Sequence, residues 1–167
     1  MFKKIDISEW KFNVFDKFDK EWALLTVGDL VKHNAMTISW GTMGILWNKK
    51  IVLVFVRPTR FTNELLKENS YFNLQFFNPS QKKILSYCGS KSGRDVNKSE
   101  VLNLTPLIID NTPCFEEAEM IITCKKIYVD SLNSENFLDL DTHKHYNSEL
   151  RDYHDVFIGE VLGIYSK

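Results

Sequence analysis

The stretch that decides the fold is His33–Asn69, HNAMTISWGTMGILWNKKIVLVFVRPTRFTNELLKEN. From Asn34 to Trp40 the residues alternate. Met36, Ile38 and Trp40 fall on one face, and Ala35, Thr37 and Ser39 on the other, as a strand's period of two requires. Gly41 and Gly44 are expected to break that run. Asn48-Lys49-Lys50 reads as a turn, and Ile51–Val56 as a strand apolar on both faces, hence central. Arg57-Pro58 ends it, because proline has no N–H to give the ladder. A helix is expected over about Asn63–Asn69, with Thr62 as N-cap and Glu64 in the first turn.

Working outward, Trp22–Gly28 reads as a strand before this stretch, and residues 1–20 as an arm laid over the core. After it come a strand at Tyr71–Phe77, closed by Asn78-Pro79, and a short helix capped by Ser80 and running through Tyr87. A polar loop follows from Cys88 to Lys98. Phe115–Asp130 reads as a bent strand or strand pair, residues 133–152 as a polar excursion, and Val156–Tyr165 as the last strand. That makes six or seven strands with two or three short helices, and no βαβ unit, repeat or low-complexity linker. The expected fold is mainly β with a few short helices, mostly antiparallel, in a closed or partly closed barrel. The 167 residues fit one domain, 1–167.

Composition narrows the function. Lys and Arg number 21 against 22 Asp and Glu, a net charge of −1, which argues against a general nucleic-acid or acidic-lipid surface. Cys88, Cys114 and Cys124 are few, odd in number and far apart, with no CxxC, as expected in a reducing cytoplasm. MFKKIDISEW has no apolar run behind its basic start, so it does not read as a secretory signal. The longest unbroken apolar run, Ile51–Val56, is too short to span a bilayer.

Three patterns bear on chemistry. The face of Ala35, Thr37, Ser39 and Gly41 is small enough either to pack tightly under another element or to lie against a flat ligand. The run Arg57-Pro58-Thr59-Arg60-Phe61-Thr62 gathers two guanidinium groups, two hydroxyls and a helix start. That suits a phosphate, or a solvated turn whose arginines pair with acids such as Glu64. The loop from Ser90 to Lys98 adds Lys91, Arg94 and Lys98, with Gly89 and Gly93 to permit unusual backbone angles; it too reads as an anion cradle or a surface loop.

Other classes are excluded. No GxxxxGK[ST], GxGxxG or GxSxG is present. His143 and His145 would share a face on a strand, but no further ligands of suitable spacing accompany them, so no metal site is expected. His154, just before the last strand, is placed to point into a pocket, and His33 has no evident partner.

The ordered set Asn34-Ala35-Met36-Thr37-Ile38-Ser39-Trp40-Gly41, Arg57-Pro58-Thr59-Arg60-Phe61-Thr62, Ser92-Gly93-Arg94-Asp95 with Lys98, and His154–Val161 resembles the flavin reductase-like family with the FMN-binding split barrel, in particular its flavoredoxin-type members. The resemblance spans about residues 22–162. It implies a homodimer holding FMN at or near the subunit interface. Asn34 and Met36 to Trp40 (Met36, Thr37, Ile38, Ser39) would edge the ring and ribityl chain. Arg57, Pro58, Thr59, Arg60 and Thr62 would surround the phosphate, with Ser92, Gly93 and Lys98 completing it. His154 would sit near the flavin or a nicotinamide. The implied activity is hydride transfer from NADH or NADPH through FMN to a flavin or protein acceptor; the alternative is a flavoredoxin-like electron-transfer module without productive nicotinamide binding. Neither version needs a catalytic dyad, and none is assigned.

Overall fold

A computed structural model describes residues 1–147 and 149–167. In chain order the elements are β1 (Lys3–Ile5), α1 (Val14–Asp16, running on as a wider turn to Glu21), β2 (Ala23–Gly28), β3 (His33–Ile38), β4 (Gly41–Leu46), β5 (Lys49–Val56), α2 (Phe61–Glu68), β6 (Tyr71–Phe76), α3 (Lys82–Ser90), α4 (Lys98–Val101), β7 (Pro106–Ile109), β8 (Thr112–Phe115), β9 (Met120–Ser131) and β10 (Asp155–Ser166). One sheet runs β3-β2-β6-β9-β10-β5-β4, with β1 added to β10, and β7-β8 form a separate hairpin. Every pairing is antiparallel.

The two edges of the long sheet, β3 and β4, are neighbours in sequence. Only Ser39 and Trp40 join them. A two-residue link keeps their near ends together, so the sheet curls on itself and stops short of closing along this seam. The result is a split barrel. Its interior is filled by side chains alternating inward from all the long strands, including Val27, Met36, Val54, Leu74, Ile122 and Phe157. A second core lies outside β2 and β6, where Leu24, Ala35 and Ile121 meet Leu85 and Cys88 of α3 and Phe115 of β8. The N-terminal arm covers the barrel through β1, Trp10, Val14 and the buried Phe18.

Several local expectations are corrected. Gly41 and Gly44 do not break the chain but lie in β4, paired with Val54 and Ile51. The turn is Trp47-Asn48, not residues 48–50; both have positive φ (51° and 58°), the geometry a two-residue hairpin demands, and Lys49 is already in β5. Thr62 is not an N-cap. Arg60 occupies that position in an extended conformation, and Thr62, the second residue of the helix, is buried in its first turn, accepting a hydrogen bond from Asn34 Nδ2 at 2.8 Å. Asn78, not Ser80, caps the next helical segment: its Oδ1 accepts from the Ser80 N–H at 3.0 Å. Helix α3 then runs to Ser90, past the expected end at Tyr87.

Candidate functional site

A groove built from two adjoining cavities runs along the free edge of β3 to the link of Ser39 and Trp40. The wider holds about 210 Å³ and is lined by Met36 through Trp40, Phe55, Arg57, Arg60 and His154. The narrower holds about 170 Å³; Asn34, Thr59, Thr62, Lys91, Ser92, Gly93, Arg94 and Lys98 are among its walls. Met36 and Arg60 belong to both, so the groove is continuous.

The small-residue face is only partly available. Ala35 is buried against α3, and Thr37 donates its hydroxyl to the Leu85 carbonyl at 2.5 Å. Packing on a helix is therefore the main use of that face. The opposite face sends Met36 and Ile38 into the barrel core. Because β3 pairs only with β2 among the described residues, its other edge is left open to the groove.

The two arginines of the sequence motif separate. Arg57 leans to the wide end. Its Nη1 donates to Asp152 Oδ2 at 2.5 Å, its Nη2 to the His145 carbonyl at 2.6 Å, and its guanidinium lies 5.4 Å from the Tyr146 ring centre. Arg60 stays at the junction, where Nη2 donates to the Gly89 carbonyl at 2.7 Å. Burial, with the nearby Arg57 charge, lowers its pKa. Pro58 is exposed and lines neither cavity. Glu64, considered as a partner for these arginines, pairs with Arg94 instead, and Arg94 also donates to the Thr59 carbonyl at 3.1 Å.

Lys98 is the most constrained cation. It is 5 % exposed, and its ammonium donates to the Ala35 and Cys88 carbonyls at 2.8 and 2.9 Å. No carboxylate bridges to it among the described residues. Burial pushes its pKa down to about 8. A buried cation answered only by carbonyl dipoles favours an anion beside it. Helix α2 starts alongside with no side-chain cap, which leaves first-turn N–H groups for the same purpose.

Gly93 serves by size and not by angle: a Cβ there would lie 2.1 Å from Asn34 Oδ1, and Gly28 is the only glycine with positive φ among the described residues. The Ser92 hydroxyl accepts from the Arg94 N–H at 3.2 Å, tightening the loop over β3.

At the wide end, His154 is 7 % exposed. Its ring lies 5.2 Å from Trp40 and 6.3 Å from Phe55, and its Nδ1 is 3.0 Å from the Tyr146 hydroxyl. Burial, reinforced by the Arg57 charge, lowers the imidazole to about 4, so it is neutral at pH 7. Burial pulls Asp152 upward, but the hydrogen bonds from Arg57 and the Asn147 N–H outweigh it and hold the carboxyl below its ordinary value.

His145, Tyr146 and Asp152 thus stand behind the groove residues Trp40, His154 and Arg57. His143 and His145 lie in a tight 3-10 turn (Leu140–His145) and diverge: His143 bonds the Tyr153 hydroxyl at 2.9 Å, and His145 stands edge-on to Trp40 at 5.5 Å. No group of three or more metal-ligating side chains occurs among the described residues. His33, without an evident partner in sequence, meets the Asp29 carbonyl and the Ser99 hydroxyl.

Phe55, Tyr146 and Asp152 were not singled out by the sequence. Phe55 had a signal, since it alternates with the inward Val54 and Val56. Tyr146 and Asp152 had none, because they meet the groove residues His154 and Arg57 from about ninety residues beyond β5.

Residues 15–167 match the family model described as the flavin reductase like domain. The chain belongs to the flavin reductase-like family. Among solved structures, an FMN-binding protein from Thermus thermophilus with bound 1-cyclohex-2-enone is similar at 24 % identity and TM-score 0.67, over 87 % of this chain and 69 % of that one. A flavoredoxin from Methanosarcina acetivorans is similar at 23 % identity and TM-score 0.67, over 88 % and 68 %. An NADH:FAD oxidoreductase from Streptomyces globisporus C-1027 is similar at 16 % identity and TM-score 0.64, over 88 % and 75 %. These flavin reductase-like neighbours share the split barrel. No curated protein matches the chain. No helix among the described residues is long and apolar enough to cross a membrane.

Proposed function

We propose that the groove holds FMN and that the protein is an NAD(P)H-dependent flavin oxidoreductase, delivering electrons to a flavin or a redox protein. The observation that carries this reading is the polarity of the groove. A wide, aromatic end next to the barrel seam leads directly into a narrow end rich in cations, with the buried Lys98 ammonium at its wall. A planar ring on a short chain ending in phosphate has that same polarity.

In this reading Arg60, Lys98, the start of α2, Thr59 and the Ser92–Arg94 loop hold the phosphate. Asn34 and Met36 through Trp40 edge the ring and ribityl chain. Arg57 and His154 belong to the ring end. When bound, FMN supplies a ring that accepts a hydride and passes electrons onward. The residues orient that ring, keep water from one side of it through Trp40 and Phe55, and offer hydrogen bonds at its polar edge. No general base is needed.

A second copy of the chain is proposed to complete the site. Ile45, Trp47, Tyr128 and Val129 are between 42 % and 71 % exposed, and Trp47 and Tyr128 lie 6.2 Å apart. The exposed pair of Trp47 and Tyr128, with Ile45 and Val129 exposed close by in sequence, suits burial in a homodimer. Sedimentation of the wild type at dimer mass, and of Trp47→Asp at monomer mass, is expected; a monomeric wild type refutes it.

After incubation with FMN and removal of the unbound excess, the purified protein should retain flavin absorbance, and anaerobic NADH or NADPH should bleach it. Bleaching only by a reduced ferredoxin-like donor would favour the electron-transfer module. A colourless protein that does not bind FMN would refute both.

A further inference from the structure

We infer that Tyr146 is a positioning residue that fixes the tautomer of His154, so that the imidazole presents Nε2–H to the wide end of the groove. What this N–H meets rests on the flavin reading above; the tautomer itself does not.

Tyr146 Oη lies 3.0 Å from His154 Nδ1, and no other hydrogen-bond partner of that hydroxyl occurs among the described residues. Burial raises the Tyr146 pKa, so the phenol keeps its proton. A phenol that accepted from Nδ1–H would leave its own half-buried proton without a protein acceptor. Donation to the Nδ1 lone pair uses it. The neutral imidazole must then carry its proton on Nε2.

The remaining geometry agrees. Only Asn73 Oδ1 is both fully buried and without a partner among the described residues, so the unpartnered Nε2 of His154 is not sealed in. His154 lines the wide cavity, which gives Nε2 its opening. The charged and titratable groups around the ring are Arg57, Arg60, Asp152, Asp155, His145 and Tyr146 itself. Asp152 is engaged by Arg57, and Asp155 by Lys67, Ser131 and Asn63, so neither carboxylate reaches the imidazole as a direct partner. Their charge is offset locally, and the ring stays neutral.

The chemical consequence is specific. The wide end offers one neutral N–H donor beside aromatic walls. It would complement an acceptor atom, either on the flavin ring's polar edge or a carbonyl oxygen of a planar substrate resting on Trp40. A segment outside the β-barrel framework would thereby set what the wide end recognises.

The test uses 15N-histidine protein without flavin, with the His154→Gln variant to assign the signal. Long-range nitrogen–proton correlations should report the Nε2–H tautomer, unprotonated down to about pH 5. Tyr146→Phe, which keeps the ring beneath Arg57, should give a mixture of tautomers and a titration moved upward in pH. FMN and riboflavin should both shift the wild-type Nε2–H signal, and inorganic phosphate should not. An Nδ1–H tautomer in the wild type, a titration at the ordinary value near 6.5, or a Tyr146→Phe spectrum like the wild type's would each overturn the inference. Absence of FMN binding with Nε2–H still observed would refute the flavin reading alone.

Discussion

Arg57 and Arg60 stand three residues apart in sequence, but Arg57 lines only the wide end of the groove while Arg60 sits at the junction and reaches the narrow end, and that difference can be measured. Replace each in turn by Gln and titrate the protein with FMN and with riboflavin, following flavin fluorescence. Arg60 lines both cavities and has one hydrogen bond to the Gly89 carbonyl, leaving other N–H donors for a phosphate. Removing one charge-assisted hydrogen bond to a phosphate costs about 1.5–3 kcal/mol, roughly tenfold to a hundredfold in affinity. Arg60→Gln should therefore weaken FMN by that factor and leave riboflavin nearly unchanged. Arg57 is committed to Asp152 and the His145 carbonyl. Arg57→Gln should affect both ligands alike, so the ratio of FMN to riboflavin affinity stays at the wild-type value. The ratio cancels any general loosening of the fold. If Arg57→Gln collapses the ratio while Arg60→Gln spares it, the assignment of the two ends is wrong.

Further outcomes follow from the same contacts. Because Lys98 titrates at about 8, FMN affinity should decline as pH rises above 8 while riboflavin affinity holds; equal pH profiles would remove Lys98 from the phosphate site. The same depressed value means that the charged ammonium is penalised in the fold, so urea titrations of the flavin-free protein should gain stability between pH 8 and the unfolded lysine value of 10.5. Asp155 is held below its ordinary value because hydrogen bonds from Lys67, Ser131 and Asn63 outweigh its burial. Its contribution is present above about pH 4 and lost as pH falls through the folded value, so the stability gap between wild type and Asp155→Asn should shrink on acidification. Gly159→Ala would place a Cβ 2.5 Å from Phe72 Cζ and 2.7 Å from Cys124 Cβ, and should cost about 1–3 kcal/mol in urea unfolding.

Much of the barrel was legible because its signals are local. The period-two run at Asn34–Ile38, the doubly apolar β5 and the proline after it each specify one element without reference to distant residues. The misreadings share a cause as well. A Cβ at Gly41 would lie 2.6 Å from Phe18 Cε1 while one at Gly44 would meet nothing, and both positions are compatible with a strand. Thr62 looked like a cap by type, yet Asn34 from β3 drew it into the interior. For the proposed site, the sequence named segments that the fold gathers at one groove but could not orient them. The direction of Arg57 depends on Asp152, and that of His154 on Tyr146, both supplied by a segment whose polar composition resembles a solvated loop. The small face of β3 likewise could not reveal in advance that α3 would claim it.

The seam between β3 and β4 has a consequence for handling the protein. Each strand leaves one row of peptide groups unmatched, and such rows are templates for intermolecular pairing. In this barrel the β3 row borders the groove through Asn34, Met36, Thr37 and Ile38, so whatever fills the groove also shields that row. Solution lifetime should therefore track occupancy: preparations stripped of ligand should form fibrils or precipitate sooner than loaded ones at the same concentration, with no change in the rest of the barrel.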